Sequence, residues 1–457
     1  MLDSIVLVES HYRSRSWFLA LKNIGLTHII SVIPEERNLF IKKGFNKSNI
    51  LNLYFDGEII KKNHRSASYY EEFLETKMNT IVSMDRTLRR KTRFYIKNYL
   101  TFLLNKLDIF FLSVKPKIIF IEPTWTHELL ICKFAKKYNV SIVAPVKDKL
   151  LPDRFIAFKN ENHFEFYKTS NFQNAHHLSR KAFDLVFNDK PIQYFKRFNK
   201  RNKFDLQKIP KLYRLVKISI LNSRNPNIQN SLHSDIYVKI KSIIRSYTQL
   251  FLFNFKKLNQ ISKKYILITL HVQPEASIDV VGSKYSNQIE FIRKIAHTTP
   301  NHFTLLIKEH SHAIGNRKSS FYSDLLEIPN VELLHPNENA RKAIRNSSLV
   351  ISNTGTSSFE AGILNIPSIT STEMFFYKLM IKKEFNPYEE SISDLLKNKK
   401  TKNKNFIFKY LEDIYIGSFS GNCGDFQTDS NVLSNTNLKK LQDSFHSIIK
   451  LIKKNKR

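Results

Sequence analysis

Five polar side chains that could contact a ligand stand just after two apolar runs in the second half of the chain. They are His271, Gln273, Glu275, Lys308 and His310. The runs, residues 265–270 and 303–307, have the length and composition of buried strands. Histidine and lysine supply hydrogen-bond donors or positive charge to an anion. Polar loops that follow neighbouring buried strands predict a binding crevice at one edge of a sheet.

A third apolar run, residues 349–352, leads into a turn of small polar residues and then into a predicted helix at 357–364. The turn and the start of the helix contain Asn353, Thr354, Gly355, Thr356, Ser357 and Ser358. Free backbone N–H groups and the helix dipole favour an anion there, and the serine hydroxyls can donate as well. Glu360, farther along the helix, is a candidate for holding ribose hydroxyls. Ordinary capping is the alternative, because Ser357 and Glu360 have the spacing of a capping box.

Strands and helices alternate around these residues in both halves of the chain. The second half adds predicted strands at 331–334 and 367–370, and helices at 288–296 and 338–346. The first half has predicted strands at 4–9, 28–33, 117–121 and 141–145, and a helix at 128–138. This alternation predicts an α/β fold with parallel sheets that bind ligands at the carboxyl ends of their strands.

The domain organisation follows from where this alternation stops. We predict an N-terminal domain at 1–160, a helical, basic connector at 161–262, a C-terminal domain at 263–420, and a C-terminal helix with a basic tail at 421–457. A chain of 457 residues accommodates two large α/β domains with helical additions. Its 42% hydrophobic content and sparse Gly and Pro indicate a globular protein rather than a disordered one.

Cysteine content and the apolar runs indicate the compartment. Cys132 and Cys423 are too few for a disulfide framework or a cysteine-based metal site, which favours a reducing environment. The first residues lack a basic segment and a long apolar run of the signal-peptide kind. We therefore expect a cytoplasmic protein without a transmembrane segment.

A formal net charge of +33 raises the question of an anionic partner. The densest cluster of cations, residues 194–214, is interleaved with aromatic residues and suits peripheral contact with an anionic inner membrane. A solvated helix face above core aromatics explains the same cluster, and codon bias alone explains a general excess of lysine. A nucleic-acid partner is not expected, because the sequence has no zinc-finger, RRM or helix-turn-helix pattern.

The ordered motifs resemble the capsule polysaccharide biosynthesis family, which includes Kdo transferases and is structurally similar to bacterial sialyl- and polysialyltransferases. The resemblance covers about a hundred residues: 271–275, 308–311, and 353–361 followed by Pro367. It implies a GT-B-like fold, in which two Rossmann-like domains with parallel sheets face an inter-domain cleft. It also implies a nucleotide-sugar donor and no metal.

Single residues carry this resemblance. His310 matches the histidine of the family's His-Pro pair, and Ser357 with Ser358 resembles the paired hydroxyls that hold the donor phosphate in the sialyltransferase relatives. The chain has Ser311 where the family has proline, and its segment 365–367 departs from the usual Gly-Lys-Pro. These departures bear on the identity of the donor.

Transfer of a sugar to a hydroxyl also needs a general base, which we expect in the N-terminal domain. The candidates are His11, in the loop after the first strand, and Glu122, at the end of a later strand. His127 and Glu128 are less favoured. A solvated or capping role is the alternative for each of them.

The sequence therefore predicts a metal-independent glycosyltransferase of bacterial surface polysaccharide biosynthesis, capsular or lipopolysaccharide-type, that uses no cofactor. The donor would be a nucleotide-activated sugar, such as a CMP-linked acidic sugar, and the acceptor a growing glycan or a lipid-linked glycan. A teichoic-acid-type glycerol- or ribitol-phosphate transferase is the nearest alternative. A basic nucleic-acid- or glycan-binding protein without catalysis is an alternative of another class.

Overall fold

The computed structural model describes residues 4–9, 13–57, 65–169, 172–189, 232–311, 313–397 and 402–455. The chain divides into two compact units. The first contains the described residues up to 169 and those from 417 to 455, and the second contains 172–189 and 233–416.

The first unit is built on a mainly parallel sheet in the order β13-β6-β5-β4-β1-β2-β3. Its strands are β1 (Ile5–Val8), β2 (Leu26–Ser31), β3 (Ile50–Asn52), β4 (Ile118–Phe120), β5 (Ser141–Lys147), β6 (Arg154–Phe158) and β13 (Ser418–Ser420). The strands from β5 to β3 are parallel, whereas β6 and β13 are antiparallel to their neighbours. Strand β1 lies between β2 and β4, so the chain order reverses there.

The helices of the first unit flank this sheet. They are α1 (Ser14–Lys22), α2 (Pro34–Lys42), α3 (Ala67–Phe73), α4 (Met78–Met84), α5 (Arg93–Val114), α6 (Thr126–Lys137) and α15 (Asn435–Asn455). Helix α15 has apolar residues at helical spacing along one face. That apolar face is buried in the same core as side chains of α1 and β1.

The C-terminal segment differs from the prediction of a separate helix and tail at 421–457. The chain returns to the first unit as β13, and α15 then packs against α1, with the rings of Trp17 and Phe445 6.5 Å apart. The indole Nε1 of Trp17 donates to the Cys423 carbonyl at 3.2 Å. Burial of the apolar face of α15 explains this return, because an amphipathic helix gains stability only where that face is covered.

The second unit has a fully parallel sheet in the order β12-β11-β8-β9-β10-β7. Its strands are β7 (Phe255–Lys256), β8 (Tyr265–Thr269), β9 (Thr304–Lys308), β10 (Val331–Leu334), β11 (Leu349–Ser352) and β12 (Ser368–Thr370). Side chains of β8 alternate between two cores, with Ile266 and Ile268 on one face and Leu267 on the other. Burial on both faces explains why β8 appears as a continuous apolar run.

Eight helices of the second unit lie within the described ranges. They are α7 (Phe172–Phe187), α8 (Leu232–Leu252), α9 (Gln288–Thr298), α10 (Ser320–Leu326), α11 (Ala340–Arg345), α12 (Thr356–Ile363), α13 (Ile392–Lys397) and α14 (Lys404–Tyr415). Helix α7, which the sequence placed in the connector, packs here against α14, with the rings of Phe183 and Phe408 4.5 Å apart. The basic cluster at 194–214 lies outside the described residues.

The predicted α/β architecture with two mainly parallel sheets is confirmed. The bounds of β10 and β11 match the prediction, and the neighbouring strands of the second sheet match within two residues. Strands β3, β6, β7 and β13 were not predicted. Strands β3, β7 and β13 have two or three residues and lie at the edges of the sheets, whereas β6 is a longer strand inside the first sheet. Across the described part of the chain, the helices lack the combination of length and apolar character needed to cross a membrane.

Replacing Phe445 by alanine tests whether α15 is integral to the first unit. Phe445 is fully buried and contacts the rings of Trp17, Phe120 and Phe155. We expect Phe445→Ala to lower the free energy of unfolding by about 3–5 kcal/mol, because it leaves a cavity. Calorimetry of the full-length chain would show this as a lower melting temperature. Phe94→Ala, which removes a ring that is 62% exposed, is the control and should leave the melting temperature unchanged.

Candidate functional site

The topology of the second sheet brings two polar loops together. The chain goes from β8 to β9 on one side, and later returns to β11 on the other side of β8. The loops after β8 and β11 therefore leave adjacent parallel strands at the same edge, where open α/β sheets bind their ligands. The sequence predicted a crevice built from these loops, and the structure places their residues in contact.

His271, in the loop after β8, is fixed on both its backbone and its ring. Its backbone N–H donates to Gln288 Oε1 at 2.8 Å, and its ring Nε2 accepts from the Thr354 N–H at 3.3 Å. Burial, His310 and Arg317 lower the pKa of His271 to about 4. The ring is therefore neutral at physiological pH and joins the two loops as a hydrogen-bonding group rather than as a cation.

The turn after β11 is held by side-chain hydrogen bonds. Asn353 Nδ2 donates to the Tyr285 carbonyl at 2.8 Å, and Thr354 Oγ1 donates to the Ser277 carbonyl at 3.0 Å. A Cβ added to Gly355 would lie 3.0 Å from Ser352, which is tighter than ordinary packing. The glycine thus fits a position where the turn leaves little space for a side chain.

The start of α12 presents donors at this edge of the sheet. The first amides of an α-helix, here those of Thr356 and Ser357, have no intrahelical acceptor. Thr356 is exposed and Ser357 is half-buried, and the Ser357 hydroxyl lies 2.5 Å from Thr269 Oγ1 at the end of β8. These amides and the Ser357 hydroxyl form a group of donors suited to an anion.

Ser358 is placed differently from Ser357. It is fully buried, its Oγ donates to the Ile369 carbonyl at 3.0 Å, and that oxygen lies 2.7 Å from Ser352 Oγ. These bonds tie α12 to β11 and β12. Ser357 therefore lies at the edge of the sheet, whereas Ser358 is buried and forms structural hydrogen bonds inside the unit.

Lys308 and His310 follow β9, as the sequence indicated. Lys308 is buried, and its Nζ donates to the Pro336 carbonyl at 2.6 Å and to the Glu309 carbonyl at 3.2 Å. Burial lowers the pKa of Lys308 to about 8. The Lys308 ammonium thus holds the loop after β10, and its hydrogen bonds go to backbone carbonyls. His310 is half-buried beside His271.

A buried ion pair that the sequence analysis did not identify connects the histidine loops. Arg317 Nε donates to Glu309 Oε2 at 2.6 Å, and Arg317 Nη2 donates to the His271 carbonyl at 2.5 Å. Glu309 Oε1 accepts from the His310 N–H at 2.6 Å. Glu309 and Arg317 thereby fix both loops. The one signal for them in the sequence is the position of Glu309 between two predicted site residues.

Gln273 and Glu275 lie on the same loop as His271. Gln273 Nε2 donates to Asp279 Oδ1 at 2.8 Å, and the Glu275 N–H donates to Asp279 Oδ2 at 3.1 Å. Asp279 is buried and holds the loop in one conformation. Glu275 itself is exposed, so it lies at the rim of this loop.

Glu360 is engaged in a structural contact. Arg341 Nε donates to Glu360 Oε2 at 2.7 Å, and Arg341 Nη1 donates to the Leu185 carbonyl at 2.8 Å. Burial raises the pKa of Glu360, although Arg341 acts in the opposite direction. The pair joins α12 to α11 and α7. The structure gives no support to a capping box between Glu360 and Ser357, because the Glu360 carboxylate faces Arg341.

The first unit has its own reversal of strand order, between β1 and β4. Glu122 follows β4 and forms an ion pair with Arg13, which precedes α1. The other candidate base, His11, lies outside the described residues. Glu122 thus lies just after β4, and its role as a base stays a prediction.

Glu9, directly after β1, is a second residue that the sequence analysis did not select. It is fully buried, and its Oε2 accepts from the amides of Val32 at 3.1 Å and Ile33 at 3.0 Å. Its Oε1 has no hydrogen-bond partner within the described ranges. Burial, with the nearby carboxylate of Glu36, raises the pKa of Glu9 well above its ordinary value. The first unit thus has, directly after β1, a buried carboxyl group that favours its protonated form.

Comparison with known proteins yields matches to solved structures alone, at low identity and low TM-score. No family model and no curated protein matches the chain. The fold is similar to KpsC from Thermosulfurimonas dismutans, a β-Kdo 2,7 transferase, at 10% identity and a TM-score of 0.36 over 98% of this chain and 99% of that one. The β-Kdo 2,4 transferase KpsC of the same organism has 9% identity and a TM-score of 0.33 over 72% and 87%.

A UDP-GlcNAc 2-epimerase from Methanocaldococcus jannaschii is also similar, at 15% identity and a TM-score of 0.26 over 91% of this chain and 98% of that one. These identities are too low to transfer an activity, so the function has to follow from the residues of this chain.

Replacing Arg317 by methionine tests the ion pair that joins the histidine loops. The substitution leaves the Glu309 carboxylate buried without its cation, so we expect a loss of about 3–5 kcal/mol in the free energy of unfolding. The measurement is the melting temperature of the full-length chain by calorimetry. Arg293→Met is the control, because Arg293 forms an exposed pair with Glu290 that should contribute about 0.5 kcal/mol or less. Equal melting temperatures for the two variants would contradict the assignment.

Replacing Glu9 by glutamine tests the protonated carboxyl group of the first unit. As pH rises, the unfolded chain releases this proton at the ordinary carboxyl pKa, whereas the folded chain retains it up to the raised pKa. The stability that this proton contributes is therefore present at low pH and lost as pH rises through the raised pKa. Glutamine mimics the protonated acid, so Glu9→Gln should melt a few degrees above the unsubstituted protein near neutral pH.

The difference in melting temperature should shrink towards about pH 4, where both folded and unfolded chains hold the proton. Glu327→Gln, at an exposed position, is the matched control and should leave the pH dependence unchanged. A difference that is constant from about pH 4 to about pH 8 would show that Glu9 is ionised in the folded protein.

Proposed function

We propose that the chain is a glycosyltransferase that binds the phosphate of a nucleotide-activated sugar at the start of α12. The observation that carries this proposal is the convergence of two loops at the strand-order reversal of the second sheet. There the amides of Thr356 and Ser357 and the Ser357 hydroxyl lie beside the loop of His271. A phosphate fits such a group of donors, because a helix start attracts negative charge.

The two histidines have different roles in this proposal. His271 stays neutral and keeps the turn at Thr354 in place, so it shapes the site rather than neutralising the phosphate. His310, half-buried on the neighbouring loop, donates to the phosphate. Glu275, exposed at the rim, contacts the sugar or the nucleoside. Gln273 acts through the conformation of the loop, since its amide is bonded to Asp279.

The reaction breaks the bond between the anomeric carbon of the donor and its phosphate oxygen, and forms a bond between that carbon and an acceptor hydroxyl. The hydroxyl proton passes to a base, and His11 and Glu122 of the first unit are the candidates. The donors at α12 stabilise the negative charge that grows on the departing phosphate. The donor would be a CMP-linked acidic sugar, and the acceptor a growing or lipid-linked glycan of a surface polysaccharide.

A teichoic-acid-type glycerol- or ribitol-phosphate transferase is the second candidate. The same group of amides and hydroxyls would bind the phosphates of a CDP-linked polyol. The nucleotide that the site prefers separates the two proposals. In both, the protein acts in the cytoplasm at the inner face of the membrane, with neither a metal nor an organic cofactor.

A thermal-shift screen against CMP, CDP, UDP and GDP tests the donor site. We expect one nucleotide to raise the melting temperature of the full-length chain, because it binds only the folded state. Ser357→Ala and His310→Ala should each weaken its binding about tenfold to a hundredfold, since each removes a hydrogen bond to a charged group. Titration calorimetry measures the dissociation constants.

The control variants are Ser323→Ala and His297→Ala, two exposed positions of the second unit away from the loops. They should bind the nucleotide as the unsubstituted protein does. A preference for CMP favours the acidic-sugar donor, and a preference for CDP favours the polyol-phosphate donor. If none of the four nucleotides shifts the melting temperature, the proposed donor site is wrong.

A further inference from the structure

Helix α8 presents a row of apolar side chains to solvent. Ile244, Tyr247, Phe251 and Leu252 are 60%, 72%, 88% and 67% exposed. The first three are spaced by three and four residues and therefore share one face of the helix. Large apolar side chains that are exposed singly need no explanation, whereas a contiguous group marks an interaction surface. We call these four residues the α8 apolar face.

The other side of α8 is fixed to the second unit. Gln249 is fully buried; its Nε2 donates to the Arg317 carbonyl at 3.0 Å, and its Oε1 accepts from the Gly315 N–H at 2.9 Å. Ser242 Oγ donates to Asn316 Oδ1 at 2.9 Å. These bonds hold the helix in one rotational setting, so turning it to bury the α8 apolar face would break them.

The sequence from the first turn of α8 onward is basic, and Asp235 is the one acidic residue of the helix itself. Between residues 236 and 274 there is no Asp or Glu, and the cations are Lys239, Lys241, Arg245, Lys256, Lys257, Lys263 and Lys264. Lys257, Lys263 and Lys264 are exposed, and Lys256 pairs with Glu332. The segment of the sequence that contains most of α8 therefore has a local excess of positive charge.

We propose that the α8 apolar face inserts into the headgroup region of an anionic lipid bilayer. An amphipathic helix with aromatic and leucine side chains on one face and cations around it lies in the plane of such an interface. Lys and Arg side chains near an anionic surface strengthen the attraction to it. A second copy of the chain fits less well, because it would bring an equally basic surface to the same contact.

This contact is independent of the proposed donor site. Binding to a bilayer needs neither a nucleotide nor transfer, and α8 contributes no side chain to the loops after β8 and β11 among the described contacts. Vesicle binding and nucleotide binding therefore test different parts of the molecule, and either can fail without the other.

Flotation of the full-length chain with lipid vesicles tests the proposal. We expect binding to vesicles made of equal parts phosphatidylglycerol and phosphatidylcholine, and little binding to phosphatidylcholine alone. The double variant Tyr247→Ser and Phe251→Ser should bind the anionic vesicles at least about tenfold more weakly, since it removes both aromatic rings of the α8 apolar face.

The matched control is the double variant Phe94→Ser and Ile109→Ser on α5, whose side chains are 62% and 56% exposed. It removes a similar exposed apolar surface from the other unit and should bind the anionic vesicles like the unsubstituted protein. Equal losses in both double variants would indicate unspecific adsorption and overturn the proposal. Unchanged binding of the α8 variant would overturn it as well.

Sedimentation equilibrium without lipid tests the alternative that a second copy of the chain covers the α8 apolar face. A monomer in both the unsubstituted protein and the α8 variant is the expected result. A dimer that dissociates on the Tyr247→Ser and Phe251→Ser substitutions would show that a second copy covers this face, and the bilayer would then not be its partner.

Discussion

The arrangement of the second unit's crevice depends on the buried ion pair between Glu309 and Arg317. The carboxylate accepts from the guanidinium, from the Tyr322 hydroxyl at 2.8 Å and from the His310 N–H, while the guanidinium also donates to the His271 carbonyl. Removing a carboxylate from water is costly unless donors surround it. Because the donors come from separate loops, the pair is stable only when those loops are in place.

The strands determine which polar groups can meet beside this pair. Strand β8 is buried on both faces, so its apolar side chains fill two cores and its first partly exposed residue, Thr269, comes at its end. There its hydroxyl meets that of Ser357 from the start of α12. Gly355 lets the turn come close to Ser352. Small hydroxylated residues suit these positions, because the turn leaves little space for a side chain and the first helix amides have no intrahelical acceptor.

Local sequence patterns were enough to predict the strands and the turn after β11, whereas the contacts between loops could not be predicted from them. The bounds of β10 and β11 follow from short apolar runs, which need no partner to be recognised. Ser357 and Ser358 are identical in sequence, yet successive helix positions point about 100° apart, so one faces β8 and the other β12. The pairing of Glu309 with Arg317 crosses a loop that shows no periodicity, and no local pattern indicates it.

At the two strand-order reversals, fewer side-chain charges are available to a ligand than the sequence suggests. Burial favours the protonated form of Glu9 and the neutral form of His271, and Lys308 is directed to backbone carbonyls. The guanidinium of Arg317 forms an ion pair with the Glu309 carboxylate. What remains for an anion at α12 is mainly dipolar, from amides and hydroxyls. Amides and hydroxyls do not titrate near neutral pH, so the proposed phosphate site should bind an anion over a wide pH range.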